Sequence, residues 1–157
     1  MDHAITFAPD QTGQAIRLLV IDDDLIQRKI IAKIGAQAGY EVVAAATFED
    51  AESCLKTQRF DCITLDLALG KQSGALLLRT IVDSGNRVPV IVVSGADEHI
   101  LRTTVNIAQS LQLESELLKK PLKLTELRDA LARMKSGAVA RRGNNQMTQS
   151  LRHAAPL

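Results

Sequence analysis

The chain has 157 residues, the size of one domain with short additional segments at its ends. Apolar residues make up 46% of it and most are aliphatic, whereas aromatic residues make up 3%, so stacking on nucleic-acid bases is not expected as a main activity. The 19 Lys and Arg residues nearly balance the 18 Asp and Glu residues, which excludes a strong overall field that would attract DNA or a membrane.

The first residues lack the basic start and apolar stretch of a secretory signal, and no apolar run is long enough for a transmembrane helix. Cys54 and Cys62 lack the spacing of a zinc site and are interpreted as buried thiols. Together these features lead us to expect a cytoplasmic protein that does not insert into membranes.

Short aliphatic runs alternate along the chain with longer segments of helical periodicity. Strands are predicted to start near residues 17, 41, 61, 89 and 115, and a helix follows each of them. In chain order the prediction is strand 18–21, helix 25–38, strand 42–45, a helix from the N-cap Thr47 to about 58, strand 62–65, loop 67–73, helix 74–84, strand 89–93, helix 101–111, strand 116–119 and a last helix that Thr125 begins.

This alternation predicts an α/β fold, in which a five-stranded parallel doubly wound sheet of flavodoxin-like order 2-1-3-4-5 is covered by five helices. We expect one domain over residues 16–135, a flexible segment over 1–15, and a flexible basic tail over 136–157. In such a sheet, ligands bind at the carboxyl ends of the strands, near the first and third strands.

Aspartates follow both of these strands. Asp22 and Asp23 come after the first strand and Asp66 after the third, so their carboxylates are expected to crowd one small volume. Carboxylates that repel one another in this way favour a divalent cation, and an all-oxygen site with water ligands favours Mg2+. Asp24 is more simply interpreted as a helix cap.

Two further polar residues end strands at the same edge. Ser94 ends the fourth strand beside Gly95, and Lys120 ends the fifth beside Pro121. A metal site, an ammonium group and a hydroxyl beside a carboxylate suit phosphoryl transfer to that carboxylate, so Asp66 is the candidate nucleophile.

The segments that carry these residues resemble the receiver domains of two-component response regulators, over about residues 16–135. The resemblance lies in four motifs in order: LLVIDDD ending at Asp24, FDCITLDLALG ending at Gly70, PVIVVSG ending at Gly95, and LKKP ending at Pro121.

The resemblance implies a role for each site residue. Asp66 would be the phosphoacceptor, Ser94 the switch hydroxyl and Lys120 the phosphate-binding lysine. Mg2+ would be held by Asp23, Asp66 and the backbone carbonyl of Ala68, with Asp22 acting largely through water, and Gly74 would follow the phosphoacceptor loop.

Three positions depart from the common family pattern. Gly70 stands where a proline is usual, Leu117 stands where an aromatic residue is usual, and Ala68 offers no side chain near the phosphoryl group. The usual coupling of the switch hydroxyl to an aromatic ring is therefore not assumed.

The predicted function is a phosphoaccepting receiver, not an enzyme. Its expected partners are a sensor histidine kinase or phosphotransfer protein and a downstream protein. DNA binding is not expected, and the domain could form a dimer through the face of the fourth helix, fifth strand and fifth helix.

Two alternative functions stay open. One alternative is a phosphorylation-independent module that binds a nucleotide such as cyclic-di-GMP, or a protein, through Arg141 and Arg142. The other is a dehalogenase-like phosphatase, which would want a second acid where Ala68 stands.

Overall fold

The structure is a computed structural model and describes residues 14–70, 72–85 and 87–154. Its strands are β1 (Arg17–Ile21), β2 (Glu41–Ala45), β3 (Cys62–Asp66), β4 (Ala68–Leu69), β5 (Gln72–Ser73), β6 (Val90–Ser94) and β7 (Ser115–Lys119). Its helices are α1 (Leu25–Gln37), α2 (Phe48–Thr57), α3 (Ala75–Asp83), α4 (Glu98–Ser110) and α5 (Leu124–His153).

Five of the strands form one parallel sheet in the order β2-β1-β3-β6-β7, which confirms the predicted doubly wound topology. The interior strands β3 and β6 are mainly aliphatic because both faces of the sheet are covered there, and both are buried along their whole length. This topology brings the carboxyl ends of β1, β3, β6 and β7 to one edge in neighbouring positions.

Each face of the sheet has its own hydrophobic core. One core contains Leu19, Ile63 and Leu65 of the sheet together with buried residues of α2, α3 and α4, whereas the other contains Leu18 and Val20 together with buried residues of α1 and α5. Alternate residues of β1 and β3 therefore face opposite cores, as the two-residue period of a strand requires.

The predicted helix starts are largely confirmed. Asp24 caps α1 by accepting the amide of Gln27 at 2.8 Å, and Thr47 caps α2 by accepting the amide of Asp50 at 3.1 Å. The last helix differs, because Lys123 rather than Thr125 lies at its N-cap, without a capping side-chain hydrogen bond.

The loop predicted over residues 67–73 contains a small antiparallel hairpin in the structure, in which β4 pairs with β5. Its turn includes Gly70, which has a φ of +59° that glycine adopts without strain. Two strands of two residues each are too short to show a period in the sequence, so pattern alone could not predict them.

The largest correction concerns the chain after residue 135, where a flexible tail was expected. The structure continues α5 to His153, so the helix has 30 residues. Its extension is anchored by the buried Ala138 and by Arg142, which hydrogen-bonds the carbonyl oxygens of Gln14 and Ala15. These anchors are contacts with residues that are distant in the chain. A local pattern of apolar residues therefore could not predict the extension. The rest of the segment predicted to be flexible at the N-terminus, residues 1–13, lies outside the described residues.

Among the described residues, none of the helices combines the length and apolar character that crossing a membrane requires.

Candidate functional site

The predicted site residues meet at the carboxyl edge of the sheet. Asp22 and Asp23 follow β1 directly, Asp66 is the last residue of β3, and Ser94 is the last residue of β6. Lys120 follows β7, whose residues pair with those of β6 up to Ser94 and Lys119. Adjacent parallel strands thus deliver all five side chains to one place.

Three carboxylates form the centre of this site. Asp22, Asp23 and Asp66 each offer an oxygen, and these oxygens lie within 4.8 Å of one another. Asp22 is fully buried and Asp66 is 3% exposed, whereas Asp23 is open to solvent. The cluster therefore has a buried floor and an accessible rim.

Backbone amides hold one oxygen of each carboxylate. Asp22 Oδ1 accepts the amide of Asp24 at 2.9 Å, and Asp66 Oδ1 accepts the amide of Ala68 at 2.9 Å. Asp23 Oδ2 accepts the amide of Gly70 at 3.1 Å, which ties the loop after β1 to the hairpin after β3. These bonds orient the carboxylates before any ligand arrives.

The second oxygen of Asp22 has no hydrogen-bond partner among the described residues, although it is buried. The pKa of this carboxyl is raised to about 6, chiefly because the group is buried and also because Asp66 is close by; the amide of Asp24 and the ammonium of Lys120 act in the opposite direction. A buried carboxylate oxygen without a donor is costly unless a cation neutralises it.

The three carboxylates fit a divalent cation for this reason. Hard cations such as Mg2+ prefer oxygen ligands, and the unpartnered oxygen of Asp22 is available for a cation or for a water molecule bound to one. Ala68 lies next to the cluster, because its backbone amide donates a hydrogen bond to Asp66 Oδ1. Ligation by its backbone carbonyl stays a prediction.

Lys120 supplies the positive charge of the site. Its Nζ lies 2.8 Å from Asp66 Oδ2, and its side chain is 27% exposed. The backbone amide of Lys120 also donates to the carbonyl of Ser94 at 3.0 Å, which positions the residue relative to β6. The peptide bond between Lys120 and Pro121 is cis.

The hydroxyl of Ser94 is buried, with the residue 3% exposed, and it accepts the amide of Ala96 at 3.0 Å. The side chain is thus at the predicted edge and is engaged by the loop after β6. The backbone of Gly95 next to it lies against Lys120, and a Cβ there would make an ordinary van der Waals contact with Lys120 Cβ at 3.6 Å.

The backbone around Asp66 requires a glycine at position 74. A Cβ on Gly74 would lie 2.5 Å from the carbonyl oxygen of Asp66 and 2.8 Å from Leu67 Cα. The amide of Gly74 also donates to the carbonyl of Leu67 at 2.8 Å. This close approach sets the turn that leads from the site into α3.

One contact at the site was not predicted from the sequence. Arg28, in the first turns of α1, donates from Nη1 to the backbone carbonyl of Asp22 at 2.8 Å. Nothing in the pattern of apolar and polar residues along α1 distinguishes this arginine from the others, so the sequence does not predict the contact. The contact fixes the loop after β1 against α1.

The arginines of the extended α5 lie at the other end of the sheet. Arg142 Nη2 pairs with Asp61 Oδ2 at 2.7 Å, and Arg141 Nη1 lies 3.9 Å from Glu114 Oε2. The pair that suggested a ligand-binding tail therefore makes ion pairs within the domain, and Arg142 acts as a structural clamp.

Comparison with known proteins identifies the protein family to which the chain belongs. The sequence profile of the family described as response regulator receiver domain matches residues 18–132. The chain belongs to this family, whose members are signalling domains of two-component systems.

Curated relatives agree with this assignment. The chain is 28% identical over 121 residues to the response regulator MprA of Mycolicibacterium vanbaalenii, covering 77% of this chain and 49% of that protein. It is 30% identical over 89 residues to the regulatory protein VirG of Agrobacterium fabrum, covering 56% of this chain and 35% of that protein. The chain thus spans about a third to a half of the length of the curated relatives it matches.

Solved structures support the fold. A CheY-like receiver domain protein from Methanospirillum hungatei has a TM-score of 0.69 at 21% identity, covering 83% of this chain and 99% of that one. A response regulator protein from Burkholderia pseudomallei, solved with a phosphorylated aspartic acid, calcium ion and citrate, has a TM-score of 0.65 at 24% identity, covering 90% of this chain and 77% of that one.

Proposed function

We propose that this receiver domain accepts a phosphoryl group on Asp66 and acts as a switch in a two-component phosphorelay, rather than as an enzyme. The observation that carries the proposal is the contact of Lys120 Nζ with Asp66 Oδ2 at 2.8 Å beside the two other carboxylates. A nucleophilic carboxylate with a cationic group on one side and a metal-binding pair of acids on the other suits phosphoryl transfer.

In this proposal Asp23, Asp66 and the Ala68 carbonyl would hold Mg2+, with Asp22 acting largely through water. The ion would supply positive charge to the transferred phosphoryl group. A carboxylate oxygen of Asp66 attacks phosphorus, the bond from phosphorus to the donor breaks, and the donor leaves with the bonding electron pair. The donor is a histidine kinase or phosphotransfer protein, so its leaving imidazole takes up the pair.

Lys120 and Ser94 then hold the transferred group. The ammonium of Lys120 is already next to Asp66, so it can pair with a phosphoryl oxygen with little movement. The Ser94 hydroxyl now accepts the amide of Ala96, and rotation of its side chain would let it donate to another phosphoryl oxygen. Loss of the bond to Ala96 frees the loop that precedes α4, and this is the proposed start of the switch.

The proposed output is the binding of a downstream protein at the face formed by α4, β7 and α5. The same face could form the interface of a dimer. DNA binding by this domain is not part of the proposal. Leu117 on β7 is half-buried and lines a cavity of 320 Å³ with Leu101 and Val105 of α4. Space under α4 would let the helix shift without an aromatic ring at position 117.

The test is phosphorylation by acetyl phosphate in Mg2+, followed by intact mass spectrometry. The wild type is expected to gain one phosphoryl group, and Asp66→Asn is expected to gain none. Asp83→Asn is the matched control, since Asp83 is exposed and pairs only with Arg79 in the same helix at 3.3 Å among the contacts of the described residues. Equal phosphorylation of the wild type and Asp66→Asn would refute the assignment, as would no phosphorylation by either acetyl phosphate or a histidine kinase.

A further inference from the structure

Three neighbouring strands have an arginine at or just before their amino ends. Arg17 is the first residue of β1, Arg59 lies three residues before β3, and Arg87 lies three residues before β6. These strands are adjacent in the sheet, and adjacent strands are about 4.8 Å apart. The three arginines therefore form a row along the edge of the sheet opposite Asp66.

The row lines a groove of 780 Å³ that α5 closes from one side. Five arginines line this groove but only two carboxylates do: Arg17, Arg59, Arg87, Arg141 and Arg142 against Glu41 and Asp61. Arg141 also pairs with Glu114 outside the lining, at 3.9 Å, so the excess positive charge of the groove rests on Arg59 and Arg87.

Both carboxylates of the groove are already engaged. Asp61 Oδ2 accepts Arg142 Nη2 at 2.7 Å and the backbone amide of Arg17 at 2.8 Å, and Glu41 Oε1 lies 3.5 Å from Arg17 Nε. Arg59 and Arg87 are both exposed, and in the described part of the chain neither side chain has a carboxylate within ion-pair distance. Their charge is available to a ligand.

Arg17 also fixes the segment that presents Arg59. Its Nη2 donates to Gln58 Oε1 at 2.6 Å, its Nη1 donates to the carbonyl of Arg59 at 3.2 Å, and its guanidinium lies 5.1 Å from the ring centre of Phe60. The backbone at Arg59 is therefore held in place, which lowers the entropy cost of binding at that position.

We infer that this groove binds a small molecule carrying two or more phosphate groups. Guanidinium groups donate to phosphate in bidentate pairs, and Arg59 and Arg87 are the arginines of the groove whose charge no acid of the described residues matches. A polyphosphate would neutralise both of them. Phe60 is 4% exposed and sits beneath Arg17, so it offers no face for a base, and recognition rests on the phosphates. The inference does not depend on phosphorylation of Asp66, which lies at the opposite edge.

The test is titration of the full chain with inorganic tripolyphosphate and, separately, with a nucleoside triphosphate. Backbone NMR and calorimetry monitor the titration at near-physiological salt. A chelator is present so that divalent cations do not bind at the carboxylate cluster. Saturable shifts are expected around Arg17, Arg59 and Arg87. The double variant Arg59→Gln/Arg87→Gln is expected to lose at least about tenfold in affinity, as the loss of two charge-assisted contacts implies.

The matched control is Arg102→Gln/Arg152→Gln, which removes the same charge from exposed positions outside the groove and is expected to change the affinity less than about twofold. Tighter binding of the nucleoside triphosphate would indicate an organic phosphate, and equal binding would indicate an inorganic one; both results support the site. Equal losses in the two double variants, shifts centred on Lys120, or a glutamate-rich peptide that binds as tightly as tripolyphosphate would overturn it.

Discussion

Asp22 is the residue whose environment depends most on a bound cation. One of its oxygens is buried without a partner among the described residues, so the carboxylate is destabilised in the cation-free protein. We expect Asp22→Asn to raise the midpoint of thermal unfolding in a chelator and to reduce the further rise that Mg2+ produces in the wild type. Differential scanning calorimetry with and without Mg2+ measures both effects, with Asp83→Asn as the exposed control. Equal stabilisation of wild type and Asp22→Asn by Mg2+ would contradict the expectation.

The pH dependence of stability follows from the same residue. The pKa of Asp22 is raised by burial from 3.8 to about 6 in the folded protein, so between these values the folded state binds more protons than the unfolded state. The contribution of Asp22 to the free energy of unfolding must therefore fall as pH rises from about 4 to about 6 in the absence of a cation. Urea unfolding at several pH values should show a smaller fall in Asp22→Asn, and an unchanged slope would show that another group controls this range.

Gly74 is predicted to be intolerant of even a methyl group. The new Cβ in Gly74→Ala would overlap backbone atoms of Asp66 and Leu67, and backbone cannot move aside cheaply. We expect a loss of about 1–3 kcal/mol in the free energy of unfolding, the range for overpacked sites. The matched control is Gly143→Ala in α5, where a Cβ meets nothing within 4 Å and should stabilise the helix by up to about 1 kcal/mol. Chemical denaturation distinguishes the two, and similar values for both would refute the packing argument.

At the scale of single elements, the extension of α5 is stabilised by its contacts and not by its own sequence. Arg142 pairs with Asp61 and hydrogen-bonds the carbonyls of Gln14 and Ala15, so one side chain links the helix to the segment before β1. We expect Arg142→Gln to lower the free energy of unfolding by about 1–3 kcal/mol, as for a lost charged hydrogen bond. Arg152→Gln, at an exposed position near the helix end, should change it by less than about 0.5 kcal/mol. Equal effects would show that the clamp is not important.

At the scale of the whole molecule, Cys62 reports on global unfolding. It is fully buried in β3 at the centre of the sheet, and burial raises the pKa of its thiol to about 12, whereas Cys54 in α2 is only half-buried. Because the thiolate is the reactive species, iodoacetamide should modify Cys54 first, and Cys62 only when the domain unfolds. Peptide mass spectrometry against time measures both rates, and both thiols should react alike in concentrated urea. Modification of native Cys62 as fast as Cys54 would contradict the buried position.

Much of the fold and the membership of the site could be predicted from the sequence. Buried parallel strands need continuous aliphatic runs, so β1, β3 and β6 are visible as such, and the aspartates directly after β1 and in the last position of β3 define the edge where the site lies. The caps Asp24 and Thr47 were predictable because capping uses residues three apart in the chain. In each of these cases the interaction is local or is repeated along one element.

Only the tertiary structure decided the features that join distant residues. The helix past residue 135 depends on Arg142 and Asp61, which are 81 positions apart, and the arginine row exists because β1, β3 and β6 are neighbours in the sheet. The unpartnered oxygen of Asp22 likewise depends on what surrounds it in space. The sequence by itself thus determined which strands form and which acids follow them, because those follow from local pattern. Which charges are paired, buried or left available was decided by the packing of elements that are far apart in the chain.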